Sequence, residues 1–162
     1  MTSQPSPFER IARAVAIITV VALGISAGAL ITEGEVLVPY WQSLPPSDFL
    51  SWYHDNAGLL FNFFGPAEIV AAVLALTSAL MFAVKRLQGS SWLIVAAAFA
   101  IAVLLAFPLY FKDVNASFAA GTIAVKDVAV ELERWATWHW SRTVLALAAF
   151  VAAVLGVQPG SR

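Results

Sequence analysis

The chain has 162 residues, of which 60% are hydrophobic and 12% are charged, with a formal net charge of -1. A mean hydropathy of +0.82 lies outside the usual range of soluble domains, so an integral membrane protein is indicated. The lack of a basic stripe argues against nucleic acid as a partner, and the lack of cysteine excludes disulfides and thiolate chemistry. The expected partners are the lipid bilayer, a lipophilic small molecule, and another membrane protein or a second copy of the chain.

The apolar segments are long and numerous enough for four membrane crossings, because each crossing needs about 20 residues. The predicted fold class is all-α, an integral membrane four-helix bundle forming a single transmembrane domain over residues 1–162. The spans are predicted at about residues 11–31, 66–84, 91–107 and 137–156. A loose tail is expected over residues 1–7, a partly interfacial helix before the second span, and an amphipathic lead before the fourth.

The first span follows Arg10 and Arg13 and is too long for the apolar core of a signal peptide, so it should be retained. Gly24 and Gly28 within it form a G-x-x-x-G pattern. This pattern lets another helix backbone approach closely. It is therefore a predicted packing face.

Three prolines are expected to interrupt helices, because proline lacks a backbone donor and its ring clashes with the preceding turn. Glu33 is expected in the acidic first loop, where Pro39 is predicted to stop the first helix, and Pro66 is predicted to break or kink the second. Pro108 is predicted to end the third span. The polar residues that follow, including Lys112 and Asn115, indicate a loop, in which Asn115-Ala-Ser117 matches a glycosylation pattern by chance.

Polar side chains interrupt the apolar pattern between residues 49 and 64, which indicates a half-buried helix. His54 and Asn62 share one face of it with Phe61. Glu68 follows in the first turn of a segment beginning at Pro66, where the helix dipole favours a carboxylate. The dipole explains part of the position of Glu68 but not its depth in an apolar run.

Basic residues predict the orientation of the chain. Arg10, Arg13, Lys85, Arg86 and Arg162 flank the ends of spans on one side, while the acidic first loop and the third connection lie on the other. Because positive residues favour the cytoplasm, both termini are predicted to be cytoplasmic in a multi-pass protein of the cell membrane.

The fourth span begins with a polar and aromatic face. Glu131, Trp135, Trp138, His139 and Arg142 recur at steps of three and four, so they share one side of a helix. One interpretation is an aromatic belt in which the arginine reaches the lipid headgroups. The other is a functional site, because charge at membrane depth usually marks function.

Arg142 lies several residues inside this span and should pair with an acidic group, for which Glu68 is the natural candidate. The pair could fix two helices or bind substrate. His139 is suited to moving protons near neutral pH. No cofactor is predicted, because no compact metal spacing occurs, and a non-haem metal or a haem held by His54 and His139 is the alternative left open.

The run Trp135-Ala-Thr-Trp138-His-Trp-Ser-Arg142 followed by an apolar span resembles the family of small four-helix membrane proteins related to anthrone oxygenases, most of which have no assigned role. The likeness covers most of the chain and includes segments at 24–28, 38–39, 44–45 and 62–66. The family pattern has Asn where this chain has His139. The resemblance implies a four-helix bundle, and members of the oxygenase branch are taken to oxidise an anthrone to an anthraquinone with O₂ and no recognised cofactor.

The predicted function is binding of a lipophilic aromatic or quinone-like molecule in a polar-lined cavity at the outer end of the bundle, with oxidation by an oxygenase of anthrone type. His139 is expected to take a proton, Arg142 to stabilise the enolate oxygen, and Glu68 to hold Arg142. The predicted substrate-binding residues are Trp135, Trp138, His54 and Asn62. The alternative is a non-enzymatic accessory or structural subunit that packs on a larger membrane complex through Gly24 and Gly28.

Overall fold

The computed structural model describes residues 4 and 6–158, so the predictions for Arg162 and for most of the tail at residues 1–7 lie outside the described residues. Six α-helices are present in this part of the chain: α1 Pro7–Thr32, α2 Val38–Ser43, α3 Pro46–Val84, α4 Ser90–Ala106, α5 Lys112–Ala120 and α6 Val128–Val157. A π-helical segment, Glu33–Leu37, joins α1 to α2, and a second, Phe107–Phe111, joins α4 to α5. A 3₁₀ turn, Val125–Asp127, leads into α6.

These elements form four long helical units, each apolar enough to cross a membrane: Pro7–Ser43, Pro46–Val84, Ser90–Ala120 and Val125–Val157. The connections are short, so successive units run in opposite directions. Both α1 and α4 pack on α3 and on α6, which places the four units at the corners of a square. The predicted all-α, four-helix membrane bundle is confirmed.

The chain stays helical through all three prolines, so the predicted break at Pro66 and the predicted helix stop at Pro39 are wrong, while near Pro108 α4 ends as predicted but is followed by a π-helix instead of a loop. Helix α3 continues without interruption through Pro66, and so the predicted interfacial helix is the first part of the same helix as the second span. Pro39 is the second residue of α2, after the π-helical segment Glu33–Leu37, and Pro108 lies inside the π-helical segment Phe107–Phe111. A wider turn accommodates the ring and the missing donor, as membrane helices commonly do.

The bundle is longer than the membrane is thick. Helix α3 has 39 residues, and its length is therefore about 58 Å, against about 30 Å for the hydrocarbon core of a bilayer. Its first part packs with α2, α5 and the start of α6 around a cluster of buried aromatic side chains: Trp41, Phe49, Tyr53, Phe111, Phe118 and Trp135. We call this cluster the aromatic cap.

The membrane part of the bundle is held by small residues and by hydrogen bonds of the Thr19 hydroxyl. Most of its buried residues are alanines, which let helices approach closely where lipid gives no hydrophobic drive to association. Between α1 and α3, the Thr19 and Ser78 hydroxyls lie 2.7 Å apart, and Thr19 also donates to the Leu74 carbonyl at 3.0 Å. Helix packing here relies on close contact and on satisfied hydroxyls.

The two glycines of the G-x-x-x-G pattern do not share a role. A Cβ at Gly24 would lie 3.1 Å from the ring of Phe150 in α6, so this glycine serves packing within the bundle. Gly28 is exposed and has open space beside it. The tightest approach is elsewhere, because a Cβ at Gly89 would lie 2.0 Å from the carbonyl oxygen of Gly156.

Candidate functional site

A buried cluster of charge joins three of the four helical units. Arg142 in α6 donates to Glu68 in α3 from Nη1 at 3.2 Å and to Glu33 from Nη2 at 2.9 Å. All three side chains are buried. The predicted pairing of Arg142 with Glu68 is confirmed. The second carboxylate, Glu33, was not predicted as a partner, since it was expected to lie in the loop before Pro39.

Glu33 reaches the cluster because the helix does not end where the sequence suggests. It begins the π-helical segment, and Gly34 beside it is pressed against α6. A Cβ at Gly34 would lie 3.0 Å from Trp140 and 3.1 Å from His139 Nε2. Glycine at this position therefore lets α6 come close enough for Glu33 to contact Arg142.

His139 is fully buried behind the cluster. Its Nε2 lies 2.8 Å from the Leu30 carbonyl oxygen, which can only accept, so Nε2 donates. Its Nδ1 lies 3.3 Å from Arg142 Nη2 and 3.4 Å from Glu33 Oε2. The imidazole stacks on Trp135 with centroids 5.0 Å apart. Both ring nitrogens therefore face protein groups.

A cavity of about 610 Å³ opens between α3 and the unit formed by α4 and α5, a size typical of small-molecule sites. Glu33, Glu68, Arg142 and Trp135 line it. The rest of the wall is mainly apolar and aromatic, with three further polar side chains: Tyr53, Lys112 and Asn115. The charge cluster is thus one side of an otherwise largely apolar chamber.

The structure brings only some of the predicted residues to this chamber. Glu68, Arg142 and Trp135 line it. His54 is exposed and its Nδ1 donates to the Ala119 carbonyl at 2.7 Å, Asn62 is exposed, and Trp138 stacks on Tyr110 with centroids 4.9 Å apart. These three residues and His139 do not line this cavity.

The wall also contains polar residues that the sequence did not reveal. Asn115 and Lys112 were expected in a loop, but they lie in α5 one turn apart and face the cavity together. Trp135 Nε1 donates to Asn115 Oδ1 at 2.8 Å. The cavity-facing residues from 112 to 119 recur at helical spacing, which could have predicted α5. Pro108 and Gly121, on either side of this segment, indicated a loop instead.

The positions of the His, Asp and Glu side chains bear on the metal and haem alternatives. Within residues 4 and 6–158, no group of three or more His, Asp or Glu side chains could hold a metal ion. The two candidate haem ligands face different helices, His54 towards α5 and His139 towards α1. For His139 to bind a metal through Nε2, its hydrogen bond to Leu30 would have to break.

Family comparison agrees with the resemblance seen in the sequence. The family described as anthrone oxygenase matches residues 58–152, which include Glu68, Trp135, His139 and Arg142. No curated protein and no solved structure matches the chain. Because the match spans more than half of a multi-pass helical membrane protein, the chain belongs to the anthrone oxygenase family.

Proposed function

We propose that the protein is an oxygenase that binds a lipophilic fused-ring ketone of anthrone type in the cavity and oxidises it with O₂. The observation that carries the proposal is the Glu33, Arg142 and Glu68 cluster on the wall of an apolar chamber of about 610 Å³. Buried charge at membrane depth is costly and usually functional. Membership of the family supports the same substrate class.

The chemistry needs a base more than it needs a redox group in the protein. An anthrone has a methylene group opposite its ketone, and loss of one methylene proton gives an enolate whose electrons O₂ can take up. The peroxide formed at that carbon then loses water, so anthrone and O₂ give anthraquinone and H₂O. Two carbon–hydrogen bonds are lost and one carbon–oxygen double bond is formed, with O₂ as the oxidant.

Glu68 is our candidate for the base. The cavity follows its helix, with Phe64, Gly65 and Ile69 on the same wall. Its contact with Arg142 is the longer one and engages Oε1. Glu33 is held more closely, since its Oε2 accepts from Arg142 Nη2 at 2.9 Å. Glu33 would therefore fix the guanidinium, and Glu68 would take the proton.

Charge balance supports a carboxylate as base. Arg142 supplies one positive charge to two carboxylates, so one of them is free to accept a proton from the substrate without leaving the arginine unpaired. His139 lies behind Trp135 with both nitrogens facing protein groups. In this proposal its Nδ1 accepts from Arg142 Nη2 and so orients the guanidinium.

The test is turnover by purified protein in lipid nanodiscs. With 1,8-dihydroxyanthrone as substrate, O₂ uptake and anthraquinone absorbance are measured above the spontaneous oxidation seen with empty nanodiscs. Glu68→Gln should lower kcat about 10²- to 10⁴-fold, the usual contribution of a positioned base. Glu35→Gln is the matched control, because Glu35 is exposed and lies near Glu33 in the same segment.

Two results would contradict the proposal. One is a wild-type rate equal to the rate with empty nanodiscs; stable purification with a larger complex would then favour the accessory subunit. The other is a Glu68→Gln rate equal to that of Glu35→Gln, which would remove Glu68 from the reaction.

A further inference from the structure

We propose that Tyr53 and Asn115 form a second hydrogen-bonding subsite in the cavity, which binds the ketone oxygen of the ligand and stabilises it as it becomes anionic. Both residues line the cavity together with the charge cluster. The inference rests on the proposed function for the identity of the ligand. It adds the group that would recognise the ligand's oxygen.

The orientation of the Asn115 amide is fixed by Trp135. An indole nitrogen can only donate, so the amide oxygen of Asn115 must face it, as the 2.8 Å contact shows. The NH₂ group then points away from Trp135. Among the described residues it has no hydrogen-bond partner, and the side chain lies on the cavity wall. Asn115 therefore offers two N–H donors to a ligand.

Tyr53 supplies a hydroxyl to the wall of the same cavity. Its side chain is 3% exposed, and its ring packs on Trp41 and Phe118 with centroids 5.8 Å and 5.5 Å away. No residue in the described part of the chain accepts a hydrogen bond from its hydroxyl. Because Tyr53 lines the cavity, its hydroxyl is available to donate to a ligand oxygen there.

Trp135 contacts both Asn115 and the charge cluster. Its indole nitrogen contacts Asn115, while Arg142 lies over its ring with Cζ 6.0 Å from the centroid. An anthrone has its ketone and its reactive methylene on opposite sides of the central ring. Removal of a methylene proton by Glu68 moves negative charge to the ketone oxygen, where donors fixed in advance stabilise it.

Equilibrium binding separates this subsite from catalysis. Anthraquinone and anthracene have the same three-ring frame, but only anthraquinone has carbonyl oxygens. Quenching of tryptophan fluorescence measures the binding of each compound to protein in nanodiscs. Tyr53→Phe should weaken anthraquinone binding about two- to tenfold, the value of a neutral hydrogen bond. Asn115→Asp keeps an acceptor for Trp135 but loses the donors, so we expect a larger loss. Anthracene binding should not change.

Tyr40→Phe is the matched control, since Tyr40 is exposed and off the cavity wall. Infrared spectra add a readout that a structural role would not move: the frequency of the carbonyl stretch of bound anthraquinone should rise in Tyr53→Phe and Asn115→Asp.

Equal weakening of the binding of both ligands, no weakening of the binding of either, or no binding by wild type would overturn the subsite. Selective binding without turnover of an anthrone would leave the subsite standing and reject the oxygenase. Turnover of an anthrone, with the preference for anthraquinone over anthracene unchanged in both variants, would support the oxygenase and reject the subsite.

Discussion

Arg142 is the residue on which the described site depends. It contacts Glu33 and Glu68 through its terminal nitrogens and lies over the ring of Phe111 with Cζ 4.3 Å from the centroid. Its Nε is buried without a partner among the described residues. A guanidinium can engage two carboxylates at once because its donors form a rigid fork, which a lysine ammonium lacks. Replacement by lysine would therefore keep the charge but lose the simultaneous contact.

Because Arg142 contacts both Glu33 and Glu68, its loss should be compensated fully only when both carboxylates are replaced. Arg142→Met alone should cost about 3–5 kcal/mol, because it leaves buried carboxylates without a cation. Adding Glu68→Leu should recover only part of this, since Glu33 remains unpaired. The triple variant with Glu33→Leu should recover most of it. Thermal unfolding in detergent, followed by circular dichroism, measures the series, and equal stability of the double and triple variants would show that Glu33 is not held by Arg142.

His139→Asn distinguishes a base from an orienting residue. If Glu68 is the base, this change should lower kcat less than tenfold, because it alters the stacking on Trp135 and the contacts to Arg142 and Leu30 but leaves the base in place. If His139 is the base, as the sequence suggested, kcat should fall about 10²- to 10⁴-fold. Turnover of the anthrone measures the difference, with Glu68→Gln as reference. A fall as large as that of Glu68→Gln would return the role to His139.

At the scale of elements, the sequence predicted the helices well but not their ends. Hydropathy and length located four spans, because both are properties of the segment itself. Pro39 and Pro66 gave wrong ends and Pro108 a loop in place of a π-helix, since a proline's effect depends on whether the surrounding helices and π-helical turns satisfy the freed backbone groups. Errors in the site followed from these ends: Glu33 and Asn115 were assigned to loops and so were missed as partners of Arg142 and Trp135.

The turn between α3 and α4 depends on Gly89. Its φ is 91°, in the left-handed region that favours glycine, and a Cβ there would lie 2.0 Å from the Gly156 carbonyl oxygen. Gly89→Ala should therefore cost about 2–5 kcal/mol, from backbone strain and from displacement of α6. Gly28→Ala is the control, because Gly28 is helical with open space beside it and should be stabilised by about 0.5–1 kcal/mol. Chemical unfolding in mixed micelles compares them, and similar stabilities would refute the close approach.

On the scale of the whole molecule, the charge cluster lies near one face of the membrane. Arg142 is about 22 Å along α6 from Val157, and Glu68 is about 24 Å along α3 from Val84. Measured from the end that carries Lys85 and Arg86, the cluster is thus near the far boundary of a hydrocarbon core of about 30 Å. The aromatic cap extends beyond it. A lipophilic ligand at this depth could enter from the bilayer with its polar groups near the headgroups.

The side of the membrane that holds the site follows from the basic residues. Lys85 lies over the ring of Phe8 with Nζ 5.3 Å from its centroid, so the N-terminal end of α1 and the turn after α3 share one end of the bundle. Arg10 and Arg13 are at this end too, and positive residues favour the cytoplasm. The termini should therefore be cytoplasmic, and the aromatic cap and the cavity mouth should face outwards.

Single cysteines test this orientation cleanly, because the chain has no cysteine of its own. Ser43→Cys at the cap end and Gln88→Cys at the opposite turn are exposed replacements at the two ends of the bundle. A membrane-impermeant maleimide added to intact cells should label Ser43→Cys, and Gln88→Cys only after lysis. The reverse pattern would place the termini outside and the cavity mouth on the cytoplasmic side, so that its ligand would come from the inner leaflet.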